Sequence, residues 1–160
     1  MKLMFSAIIL TGAVLLFPPL SGGRQAQVPE ELTREKIFAA GPEWQQKYDD
    51  FQPAQDMVDA IKSKLGAKDS IEVYLGLWCP DSRNHVPTFL KMLDKLGNNV
   101  PVRYFGLGRK TPRDIKYYYE AKQVEKVPTF IFYRDGKEIG RIIERPKTGI
   151  VEDTMDILFK

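Results

Sequence analysis

The chain has 160 residues, 43% of them hydrophobic and 28% charged, enough for one domain with a real core and too few for two. A net charge of +3 is too small to point to nucleic acid. The single cysteine and single histidine exclude a disulfide framework and the usual zinc sites, so no metal is expected.

The N-terminus reads as an export signal over residues 1–23. Lys2 supplies the positive region, Leu3 to Phe17 an apolar stretch, Pro18-Pro19 a break, and Ser21-Gly22-Gly23 the small residues suited to cleavage. The apolar run is short for a membrane span, which favours cleavage over a retained anchor. The expectation is a protein that works outside the cytoplasm, periplasmic or secreted, where an exposed thiol meets oxidising conditions. Residues 24–52 form a linker and an N-terminal helical extension. One helix is predicted over Glu30 to Ala40. A second begins at Pro42, with Trp44, Tyr48 and Phe51 as a stripe suited to core packing.

The main domain is expected over residues 53–160. Pro53 opens a helix with Ala54, Met57, Val58, Ile61 and Leu65 on one face, stopped by Gly66. Ile71, Val73, Leu75 and Leu77 alternate as a strand that delivers Trp78-Cys79. Val86, Phe89, Leu90, Leu93 and Leu96 then mark a helix that Pro87 should kink. Val100 to Leu107 reads as a strand and Asp114 to Gln123 as a helix. Thr129 to Tyr133 and Lys137 to Ile143 form a hairpin about Asp135-Gly136, and Thr148 is expected to cap a last helix with Val151, Met155 and Leu158 inward. This order predicts an α/β domain, a mixed sheet with helices on both faces.

Trp78-Cys79-Pro80-Asp81-Ser82 carries the chemistry. It sets the only thiol at a strand-to-helix junction, where unpaired N–H groups and the helix dipole favour a thiolate. Ser82 stands where a C-x-x-C would place its second cysteine. Its hydroxyl has two uses open to it, tuning the thiolate or bonding to backbone. Asp81 suits the first helical turn by charge. His85 is expected to point away from the sulfur, and Arg83 to be solvated. Arg109, Lys110, Arg113 and Lys116 with Tyr117, Tyr118 and Tyr119 form one basic, aromatic cluster, too narrow for a nucleic-acid face.

Over residues 53 to 159 the chain resembles the thioredoxin family. The match is carried by Trp78-Cys79-Pro80, by Pro87 eight residues beyond the cysteine, by Val127-Pro128-Thr129 and by the terminal hairpin. The leader and the Trp-Cys-x-Asp-Ser sequence make it similar to exported bacterial thioredoxin-like proteins. The resemblance implies a thioredoxin-like fold, with Cys79 and Ser82 as the catalytic pair. It also implies a cis peptide before Pro128, and a substrate surface of Trp78, Pro80, Val127, Pro128 and Thr129. The chain departs from the family twice. Ser82 cannot resolve a mixed disulfide, and Val73 occupies the position of the family's buried aspartate, with neighbouring Glu72 expected to face a different direction. Monothiol exchange with protein or low-molecular-weight thiols and disulfides is therefore the expected activity. A non-catalytic peptide- or protein-binding module is the alternative, and a disulfide-linked homodimer a third outcome.

Overall fold

The computed structural model describes residues 29–97, 100–109 and 119–160. The leader, the linker to Val28, and Lys110, Arg113, Lys116, Tyr117 and Tyr118 lie outside the described residues. So does most of the expected Asp114 to Gln123 helix, of which residues 119–121 are described and helical.

The elements in chain order are β1 (Glu31–Leu32), α1 (Arg34–Phe38), α2 (Pro42–Asp50), α3 (Gln55–Lys64), β2 (Asp69–Leu75), α4 (Pro80–Leu96), β3 (Val102–Gly106), β4 (Thr129–Arg134), β5 (Lys137–Ile143) and α5 (Ile150–Leu158). The five strands form one mixed sheet in the order β1-β3-β2-β4-β5. Only β2 and β3 run parallel, joined by the crossover that contains α4; the other three pairs are antiparallel.

Central β2 is covered on both faces, apolar at Ile71, Val73 and Leu75 on one and carrying Ser70 and Glu72 beside Tyr74 on the other. Ile71, Val73 and Leu75 join Phe130, Phe132 and Ile142 under α3, α4 and α5. Tyr74 faces the other way, against Phe105, Ile131, Tyr119 and Val124. Phe89 of α4 is fully buried, its ring 4.8 Å from Phe130 and 6.2 Å from Phe132. Burial of one such ring contributes about 2–3 kcal/mol. At the β4–β5 turn, Asp135 (φ 52°) and Gly136 (φ 72°) both adopt left-handed backbone, the geometry that a two-residue hairpin favours.

The N-terminal extension belongs to the same core, since Ile37 and Trp44 are fully buried within it. Its beginning corrects the expected Glu30 to Ala40 helix. Glu31 and Leu32 instead pair with Phe105 and Tyr104 as an edge strand, and Thr33 caps a shorter helix by accepting the Lys36 N–H. The β3 edge supplies partners that local periodicity cannot register. The final helix also starts differently. Gly149, not Thr148, holds the capping position of α5, and the backbone N–H groups of Lys147 and Thr148 donate to the Asp153 carboxylate (2.7 and 3.1 Å). Helix α4 runs on unbroken through Pro87.

Candidate active site

Strand β2 ends at Leu75, two residues earlier than its alternation predicts, and residues 76–78 turn the chain into α4. Leu77 is consequently exposed rather than buried. Cys79 takes the N-cap of α4 with extended backbone (φ −89°, ψ 124°), and Pro80 follows at the first helical position, where its missing N–H costs nothing. The Cys79 N–H donates to the Gly76 carbonyl (2.9 Å), and its own carbonyl accepts from the Arg83 N–H (3.1 Å). Cys79 is 7% exposed.

Across from it, the Val127–Pro128 peptide bond is cis, and the Cys79 thiol donates to the Val127 carbonyl at 3.3 Å. This loop is tied down from behind. The Thr129 hydroxyl donates to the Lys126 carbonyl (2.7 Å), and the Pro128 carbonyl accepts from the Glu144 N–H (2.7 Å). Pro128 and Thr129 are buried and Val127 half-buried, so the loop presents mainly backbone to the sulfur.

Ser82 is fully buried, and its hydroxyl accepts the Gly76 N–H at 3.2 Å. The bond to backbone is thus the contact it makes, bracing the turn that carries Cys79. Pro80 is exposed beside the thiol. Trp78 is 43% exposed, yet held on two sides. Its Nε1 donates to the Leu107 carbonyl (2.8 Å), and its ring lies so close over Gly76 that a Cβ there would stand 2.9 Å from Cε2. Glycine is required at 76 by this approach. The Arg109 guanidinium lies 5.2 Å from the indole centre.

Three ion pairs lie nearby. Asp81 receives Arg145 at 2.9 Å, and Arg83, expected to be solvated, pairs with Glu43 of α2 at 2.8 Å. Lys126 pairs with Glu144 at 2.8 Å. His85 turns into a groove of about 400 Å³ with Lys47, Phe51, Thr88 and Gly149. Burial lowers its pKa, against the opposing pull of Asp81. Val73 is fully buried among apolar side chains. Glu72 points to the opposite face, where it accepts from Lys122 (2.9 Å), Tyr133 (2.9 Å) and Tyr74 (2.9 Å). Burial raises its pKa, but these three donors outweigh burial and hold it below the ordinary glutamate value. A pocket of about 580 Å³ opens beside the Pro128 loop, between Lys126, Thr129, Arg141, Ile143 and Glu144, and neither Cys79 nor Trp78 lines it. Gly76, the Leu107 carbonyl and Arg109 are the parts of this site that the motif does not announce. A glycine between an apolar strand and a tryptophan is the only local sign of them.

A mixed sheet whose central strand hands a cysteine to a helix N-terminus, opposite a cis-proline loop, defines a thioredoxin-like fold. A family model described as thioredoxin matches residues 30–155, and the chain belongs to that family. The match begins at residue 30 and so includes α1 and α2. No curated protein matches the sequence. Among solved structures, a protein of unknown function from Pseudomonas aeruginosa is similar with a TM-score of 0.57 at 13% identity, covering 79% of this chain and 86% of its own. An HIV epitope-scaffold gives 0.57 and 13%, covering 80% and 87%. Thioredoxin from Aeropyrum pernix gives 0.41 and 18%, covering 67% and 86%. The likeness to the first two is one of fold alone.

Proposed function

We propose that this thioredoxin-like protein is exported and carries out monothiol thiol–disulfide exchange through Cys79. The observation that carries the reading is the placement of the only cysteine. It takes the capping position just before α4, with its sulfur 3.3 Å from the backbone of the Pro128 loop. The thiolate is the form that attacks a disulfide. In the step proposed, the Cys79 thiolate displaces one sulfur of a disulfide. A Cys79–S–S–R bond forms, the original S–S bond breaks, and the leaving thiolate takes up a proton from water. With serine at 82 the adduct persists until an external thiol attacks it. Trp78, Pro80, Val127, Pro128 and Thr129 form the surface a substrate would meet, and no metal or organic cofactor enters the step. Export rests on the leader over residues 1–23.

Incubating residues 24–160 with bis(2-hydroxyethyl) disulfide and weighing the intact protein tests the reaction. The expected product is one thiol-sized adduct, reversed by dithiothreitol and absent in Cys79→Ala. An unmodified wild-type protein would sink the proposal. A second reading, a non-catalytic peptide-binding module, is favoured by the apolar Val73, which leaves no ionisable group at that place in β2. It requires that Cys79→Ala keep full capture of the partner that wild type retains.

A further inference from the structure

Three of the acidic groups around Cys79 have a basic partner of their own. Asp81 is bonded to Arg145, Glu43 to Arg83 and Glu144 to Lys126, so these pairs contribute little net charge. Arg109 differs. Its partner is the indole of Trp78, and no carboxylate among the described residues forms an ion pair with it. Trp78 is the chain neighbour of Cys79, and its ring is fixed by Gly76 and by the Leu107 carbonyl, two residues before Arg109. The arginine and its platform therefore hold each other on the residue that immediately precedes Cys79. A guanidinium stacked on a ring keeps its N–H edge available, and that edge matches a carboxylate.

We infer that Arg109 makes the Cys79 site selective for disulfides that carry a carboxylate close to the sulfur. The inference rests on the exchange reading above and names the substrate class of the same site. The chemistry is unchanged. Cys79 gains the carboxylate-bearing half of the disulfide, and the other half leaves as its thiolate. An approaching anion is drawn to the thiol, while a cation is repelled from it. For one exposed charge carried on the side chain next to the reacting cysteine, the expected preference is about two- to fivefold at low ionic strength, fading as salt screens it.

The test measures the rate of adduct formation on Cys79, by mass, with 3,3′-dithiodipropionate, bis(2-hydroxyethyl) disulfide and cystamine. Each rate is divided by that of the same reagent with a small free thiol, which removes intrinsic reactivity. Wild type should rank them anionic, neutral, cationic. Arg109→Gln should flatten the series, Arg109→Lys should keep part of it, and 0.5 M salt should compress it. Lys137→Gln, on β5, changes net charge equally and should leave the ranking intact. Peptide disulfides with aspartate or lysine beside the cysteine form a second arm. Selectivity confined to the small reagents assigns a low-molecular-weight substrate, and selectivity confined to the peptides assigns a protein segment. A flat series in wild type, an unchanged one in Arg109→Gln, or an equal loss in Lys137→Gln overturns the inference and leaves the exchange reading standing. No adduct with any reagent overturns both.

Discussion

At its C-terminal end, α4 closes on Gly97 in the left-handed region (φ 58°), whose N–H returns to the Asp94 carbonyl. There Asp94 accepts both ends of the Arg34 guanidinium at 2.6 Å and also the Tyr48 hydroxyl, tying the helix to α1 and α2. At its N-terminal end the capping residue is Cys79, which gives the helix no side-chain hydrogen bond. Serine, threonine, aspartate or asparagine would ordinarily stand there and satisfy a first-turn N–H. One helix thus has a tethered end and an uncapped end. The bracing at the thiol end is displaced onto its neighbours, Ser82 holding Gly76 and Asp81 holding Arg145. The contrast teaches that a reactive residue can occupy a structural position when adjacent groups supply the missing support.

The middle of α4 should matter most to both ends. Phe89→Ala removes the ring wedged against Phe130 and Phe132, and is expected to cost about 3–5 kcal/mol by urea unfolding. A loss below 1 kcal/mol would mean that the sheet does not depend on this wedge. Next comes the support under the thiol. Ser82→Ala leaves the buried Gly76 N–H without its acceptor, for an expected loss of about 1–3 kcal/mol. Ser82→Cys should instead shorten the lifetime of the Cys79 adduct, because the new thiol can displace it. An adduct as long-lived as in wild type would show that position 82 cannot reach the sulfur.

The tethered end should respond more weakly. Gly97→Ala has open space for its Cβ but an unfavourable φ, so a loss of about 1–2 kcal/mol is expected from backbone conformation alone. Asp94→Asn should cost about 1 kcal/mol, since the ion pair is more than a third exposed and solvent screens it. Hydrogen bonds from Arg34 hold the Asp94 carboxyl below the usual aspartate range. Its folded pKa lies under the unfolded one, so its contribution is complete above about pH 4 and lost as pH falls through the lowered value. The gap in unfolding midpoint between wild type and Asp94→Asn should therefore be widest near pH 7 and shrink toward pH 3. A gap that stays constant would separate Asp94 from the acid sensitivity of this end.

Much of the architecture is legible in local patterns. The Met57, Val58 and Ile61 stripe, the alternation of Ile71, Val73 and Leu75, and the Asp135-Gly136 turn all appear where spacing and turn chemistry predict them. The misses share one cause. Glu31 and Leu32 are strand because β3, more than 70 residues away, offers an unpaired edge. Arg83 meets Glu43 because α2 packs on α4, and Arg109 meets Trp78 because β3 ends beside the turn before Cys79. Asp153 replaces Thr148 at the start of α5 because a carboxylate one turn inside the helix reaches back to the N–H groups before it.

The sequence by itself determined that one thiol stands at a strand-to-helix junction and that serine occupies the place of its resolving partner. Both are matters of residue identity and short-range periodicity. Only the tertiary structure decided what surrounds that thiol: the Val127 carbonyl 48 residues away, the buried Ser82 turned to Gly76, and the indole carrying Arg109. Contacts at such separations depend on strand order and register, which are set by the burial of two apolar faces at once and not by any local stretch of chain.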